Sequence, residues 1–127
     1  MVINCDFFVT GSVNNKEMIV KVCNIIKSNH MSYNCILINN ENYEKDDYIL
    51  SLSDSNFFNS NLKCIKESRF FLLILPGDIA SFTLAGIAYG LGKKCYAIGD
   101  VDNYSSYNIF DNVFLSENEF VGFLDKM

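Results

Sequence analysis

The sequence has a single histidine, His30, and its five cysteines include no C-x-x-C pair. A lone imidazole in the turn Ser28-Asn29-His30-Met31 leaves a thiol nucleophile without a base partner and a zinc site without its usual ligands. Cys5, Cys23, Cys35, Cys64 and Cys95 lie inside apolar segments, as small buried hydrophobes of a reducing compartment do. Basic residues are scarce too. Ten Lys and Arg stand against fifteen Asp and Glu, a formal net charge of -5. That balance offers no electrostatic footprint for nucleic acid or an anionic membrane. The longest apolar runs fall well short of the roughly 20 residues of a membrane-spanning helix, and the first residues lack the basic and apolar regions of a secretory signal. The expectation is a soluble, cytoplasmic protein without nucleic-acid, membrane, metal or cofactor partners. No repeat, low-complexity tract or linker divides the 127 residues, and half of them are hydrophobic, so one domain over 1–127 is expected.

The one proline, Pro76, falls in the stretch Arg69 to Gly92, around which the chain can be arranged. Phe70 to Leu75 is a continuous apolar run of strand length, and a run apolar on both faces suits a strand covered from both sides. After the turn Pro76-Gly77-Asp78-Ile79-Ala80-Ser81, Leu84, Ala85, Ala88, Tyr89 and Leu91 recur at helical spacing. Gly86 and Gly90, four apart, would let that helix lie close against a sheet. Lys93 and Lys94 follow as a charged stop. Strand, turn and helix make the front half of a βαβ unit, in which ligands bind at the strand's carboxyl end.

The rest alternates in the same way. Val2 to Thr10 reads as a first strand running into Gly11-Ser12. Met18, Ile19, Val22, Cys23 and Ile26 share one face of a first helix, with Asn14 or Asn15 as N-cap. Tyr33 to Ile38 reads as a second strand. The acidic stretch from Asn39 to Ser53 is too long for a bare connector and reads as a loop or lid. A second helix, capped by Ser53 or Ser55, would turn Phe57, Phe58, Leu62 and Ile65 inward. Cys95 to Ile98 is the fourth strand, stopped by Gly99-Asp100. A polar loop from Val101 to Asn108 leads to a short strand at Asn112 to Leu115. The last helix opens on Ser116-Glu117-Asn118-Glu119, a capping-box pattern, with Phe120, Phe123 and Leu124 inward. The predicted fold is a three-layer, Rossmann-like α/β fold: a five-stranded parallel sheet of order 2-1-3-4-5 with helices on both faces. That order sets Gly11-Ser12 and Pro76-Gly77-Asp78 across one crevice.

A glycine-bearing turn before a helix can cradle phosphate. Here Asp78 brings a negative charge, and no Lys or Arg lies in the turn. The plain alternative is that Pro76-Gly77 reverses the chain and Asp78 or Ser81 caps the helix. Asp78 could also accept hydrogen bonds from a base or hydroxyl, or shuttle a proton. Displacement at a sugar carbon needs a second carboxylate, for which Asp6, Glu41, Asp46, Asp47 and Asp54 are the candidates.

The passages FFVTGS, NLKCIKESRFFLLILPG and SFTLAGIAYGLGKKCYAI together resemble the nucleoside 2-deoxyribosyltransferase family and its small relatives, among them deoxynucleotide N-hydrolases. The resemblance implies a flavodoxin-like fold, a homo-oligomer, and cleavage or transfer of an N-glycosidic bond by a glutamate that attacks the sugar. Carried over residue by residue, Gly11 and Ser12 match the turn after the first strand. Asp78 matches a base-contacting aspartate six residues before the nucleophile, and Gly86, Ala88 and Gly92 match the following helix. The nucleophile position falls on Leu84. Phe8 stands where a tyrosine often orients that glutamate, and Asn61 where an aspartate is common. The turn also resembles, more weakly, the P-G-G-x-G-T of nucleoside monophosphate phosphoribohydrolases of the lysine-decarboxylase-like group, with Thr83 and Leu84 in place of the downstream acids.

The preferred expectation is a divergent member of this family with a pocket for a nucleoside, nucleotide or ribosyl ligand. Phe8, Gly11, Ser12, Gly77, Asp78 and Ser81 would line it, with Leu84 as an apolar wall and family-type covalent catalysis lost. The alternatives are an N-glycosidase or transferase that recruits Asp78 with another carboxylate, and a protein-interaction module whose crevice is vestigial.

Overall fold

In a computed structural model of the chain, the residues described are 2–39, 55–100 and 107–127. They build one sheet of five strands in the order β2-β1-β3-β4-β5. The strands are β1 (Cys5–Gly11), β2 (Tyr33–Asn34), β3 (Ser68–Ile74), β4 (Lys94–Ile98) and β5 (Asn112–Phe114), and every pairing is parallel. The helices are α1 (Lys16–Ser28), α2 (Ile36–Asn39), α3 (Ser55–Lys66), α4 (Ile79–Gly90) and α5 (Glu117–Asp125). This is the three-layer, flavodoxin-like arrangement expected from alternating strands and helices.

Alternation along each strand splits the core in two. On one face Phe7, Val9, Phe70, Leu72 and Ile74 meet Ile19, Val22 and Ile26 of α1 and Phe120 and Leu124 of α5. On the other Phe8, Phe71, Leu73 and Leu75 meet Ile65 of α3 and Leu84, Ala85 and Ala88 of α4. Both faces of β3 are thus buried, which is why its sequence shows no polar alternation. Aromatic rings knit the first layer: Phe7 lies 5.1 Å from Phe70 and 5.7 Å from Phe120, and Phe123 lies 5.1 Å from both Tyr96 and Phe114.

Three local expectations are corrected. The segment Tyr33 to Ile38 is strand only at Tyr33–Asn34, then turns into the short helix α2. Buried Cys35 and Leu37 anchor it, and an apolar run this short does not distinguish the two periods. In α4, Leu84, Ala85 and Ala88 face inward, but Tyr89 and Leu91 are exposed. Gly86 and Gly90 point into open space on the outer side, so the small residues that allow close approach to the sheet are the alanines. Lys93 is more than a stop: its Nζ donates to the Lys66 carbonyl oxygen at 2.9 Å and closes the end of α3.

The helix ends are set by their own residues. Ser116 Oγ accepts from the Glu119 N–H at 3.4 Å, and the Glu119 carboxylate takes the Leu115 N–H at 2.6 Å, one residue before the cap. At the end of α1, His30 has φ 61° while its N–H reaches the Lys27 carbonyl and the Met31 N–H reaches that of Ile26. That is a Schellman stop with histidine in the left-handed position. Ser53, the acidic stretch to Asp54, the side chain of Phe57 and residues 101–106 lie outside the described residues. Among the described residues, no helix is long and apolar enough to cross a membrane.

Candidate functional site

The sheet order places its switch point between β1 and β3, since β1 leads outward to β2 and β3 to β4. The register runs to the last residue of each strand, with Gly11 opposite Ile74. Beyond that pair the chains part, β1 into Ser12 and the 3-10 turn Val13–Asn15, β3 into Leu75, Pro76, Gly77 and Asp78. The Leu75–Pro76 peptide is cis. The crevice lies between these two departures.

Gly11 is glycine because the strands close tightly there. A β-carbon at that position would come within 2.7 Å of the Ile74 carbonyl oxygen and 3.1 Å of Ile19 Cδ1. Ser12 then turns the chain, its Oγ accepting from the Asn14 N–H at 3.2 Å and its carbonyl from the Asn15 N–H at 2.9 Å. Asn15 stands at the N-cap of α1, but its side chain does not cap that helix. The carboxamide instead crosses the crevice, Nδ2 donating to the Leu75 carbonyl oxygen at 3.2 Å.

On the β3 side, Asp78 and Ser81 form a reciprocal capping box on α4. The Ser81 N–H donates to Asp78 Oδ1 and the Asp78 N–H to Ser81 Oγ, both at 2.8 Å. The Phe82 ring folds back over Gly77, where a β-carbon would lie 2.8 Å from Cε2. Ile79, at the first position of α4, is 88% exposed, beside exposed Pro76. The two departures therefore differ in residue type: Ser12 and Asn15 follow β1, and Pro76, Gly77, Asp78, Ile79 and Phe82 follow β3.

Gly11, Ser12, Gly77, Asp78 and Ser81 are brought to this one edge. Ser12 and Ser81 are buried in their turns, and Gly77 and Asp78 are half-exposed. Phe8 and Leu84, each 1% exposed, belong to the core on the α3 and α4 side, with Phe8 stacked on Phe71 at 5.7 Å. Asn61 is buried as well. Asp6 is at the opposite end of the sheet, where it accepts from the Ser32 N–H at 2.9 Å and pairs with Arg69 at 3.4 Å. Glu41, Asp46, Asp47 and Asp54 lie outside the described residues.

Two residues of this edge carry only a punctuation signal in the sequence. Asn15 reads as one of two possible helix caps, and Asp100 as the end of β4. The order of the sheet brings the second to the carboxyl edge next to β3. The signal available was position alone, a polar residue directly after a parallel strand.

Burial and the nearby Asp111 carboxylate push the Cys95 thiol up to about 11. A hydrogen bond with Cys35, then burial, push Cys23 strongly up, and burial raises Cys64. These three remain protonated at neutral pH.

No family model matches the chain, and no curated protein matches it. Among solved structures, it is similar to the Clostridium botulinum CMP N-glycosidase BcmB, at 16% identity and a TM-score of 0.61, over 95% of this chain and 98% of that one. It is also similar to a conserved protein from Enterococcus faecalis, at 14% identity and a TM-score of 0.55, over 96% and 98%. At these identities the likeness is one of fold.

Proposed function

We propose that the chain binds a nucleoside, nucleotide or related ribosyl compound in the crevice between the ends of β1 and β3, as a divergent relative of the nucleoside 2-deoxyribosyltransferases. The observation that carries this reading is the switch point itself, with polar residues after β1 and mainly apolar ones around Asp78 after β3. A nucleoside has the matching two-sided character, a hydroxyl-bearing sugar and a flat base. Asp78 Oδ1 caps α4, and the same carboxylate would meet donors on the base. A solved structure of the same fold is a CMP N-glycosidase, which makes nucleotides the first ligands to try.

Family-type covalent catalysis is absent from this reading. Leu84 holds the position that the resemblance gives to the nucleophile, and it is an apolar side chain inside the core. A second reading, cleavage of the N-glycosidic bond, has one observation in its favour: Asp100 follows β4 on the edge that carries Asp78, and glycosidic hydrolysis uses paired carboxylates. Assembly as a homo-oligomer and a cytoplasmic location belong to the same proposal, and light scattering of the purified protein tests the first.

The deciding experiment is a thermal-shift screen against nucleosides, deoxynucleosides, their monophosphates and ADP-ribose derivatives, followed by chromatography for free base. A ligand at a hundred times its dissociation constant stabilises by about 2.7 kcal/mol. Stabilisation without base release supports a binding protein, base release supports the second reading, and no shift with any compound refutes both.

A further inference from the structure

We propose that Asn15 is a positioning residue that sets the width of the crevice, holding its two walls at the separation a ligand requires. The inference rests on the binding role proposed above. Asparagine at an N-cap normally accepts hydrogen bonds from its own helix's first turn. In α1 that bond is missing, and the side chain bonds instead to a residue 60 positions away in sequence. Its acceptor, the Leu75 carbonyl, belongs to the peptide just before Pro76. On its other side, the Leu75 N–H is fixed to the Ile98 carbonyl oxygen at 2.8 Å. The departing β3 chain is thus tied to the sheet through Leu75 N–H and to the start of α1 through Leu75 C=O. Only the second tie crosses the crevice.

Asn15 also borders a shallow, open depression on the surface of α1, lined by Glu17, Met18, Val20, Lys21 and Asn24.

Asn15→Asp separates positioning from stability. Asn15 makes no capping hydrogen bond that the substitution could remove, and a negative charge suits the start of a helix, so the loss of stability is limited to the tie itself. A carboxylate cannot donate to the Leu75 oxygen, so the tie is lost. CMP serves as the probe, with affinity measured by calorimetry and the turn followed by amide hydrogen exchange at Gly77 and Asp78. The expected result is CMP binding weakened by about tenfold or more with Tm lowered by no more than the one hydrogen bond is worth, about 4 °C, and faster exchange at both amides. Asn15→Ala should behave alike in binding and exchange. Unchanged exchange in Asn15→Asp overturns the inference, as does unchanged CMP affinity, or a fall in Tm that accounts for the weakened binding. If the wild-type chain fails to bind CMP, the nucleotide reading fails for CMP by itself. Exchange alone then decides whether Asn15 ties the walls.

Discussion

Asp78 has two roles in this account, and substitution separates them. As the N-cap of α4 its Oδ1 takes the Ser81 N–H at 2.8 Å, while Ser81 Oγ returns the bond to the Asp78 N–H. Asp78→Ala removes the first bond and leaves a first-turn N–H without its acceptor, at a cost of about 1 kcal/mol. For a chain of this length, about 2.1 cal/mol/K per residue makes 1 kcal/mol worth about 4 °C in Tm. Asp78→Asn keeps a capping oxygen and removes the charge, so its shift should stay within about 1 °C. Differential scanning calorimetry on the three proteins reads this directly. If Asp78→Asn falls as far as Asp78→Ala, the carboxylate charge rather than the cap stabilises α4. If Asp78→Ala does not fall at all, the capping box is energetically idle and the reasoning is wrong. Ligand affinity should follow the other order, with Asn nearly as damaging as Ala because both lose the charge.

Three further outcomes follow from the packing. Gly11→Ala drives a β-carbon against the Ile74 carbonyl oxygen and should cost about 1–3 kcal/mol in chemical denaturation, with an unchanged denaturant slope. His30→Gly relieves the left-handed residue at the end of α1 and should raise stability by about 0.5–1 kcal/mol, read as a higher denaturation midpoint. Cys95 has its folded pKa raised from 9.0 to about 11, so its contribution is complete below pH 9 and is lost as pH rises toward 11. Cys95→Ala should flatten that alkaline decline in a Tm–pH series, and an identical slope would show that another group causes it.

Much of the fold was legible because its strongest signals are periodic. Phe70 to Leu75 reads as a two-sided strand and is one, and the helix faces of α1 and α5 repeat at the spacing their buried residues show. Alternation implies a parallel sheet, and the order 2-1-3-4-5, chosen among the doubly wound orders, is the one observed. Periodicity fails where it is weak. α4 is apolar nearly all round, so spacing could not tell buried Ala85 and Ala88 from exposed Tyr89 and Leu91. The Tyr33 to Ile38 run is too short to choose between a strand and α2. At the candidate site, sequence could place Gly11, Ser12, Gly77 and Asp78 on one edge, because topology dictates it. It could not show that Asn15 reaches Leu75, a tertiary contact that has no local pattern. Nor could it show that Phe8 and Leu84 belong to the packed core.

The most direct test of the central claim is amide chemical-shift mapping of the isotope-labelled protein titrated with CMP, deoxynucleoside monophosphates and the parent nucleosides. The account predicts saturable shifts concentrated at Gly11 to Asn15 and Gly77 to Ser81, with the ligand's own resonances intact after prolonged incubation. Shifts confined to another surface, or none with any compound, would contradict the crevice as a binding site, and growing signals of free base would contradict the loss of catalysis.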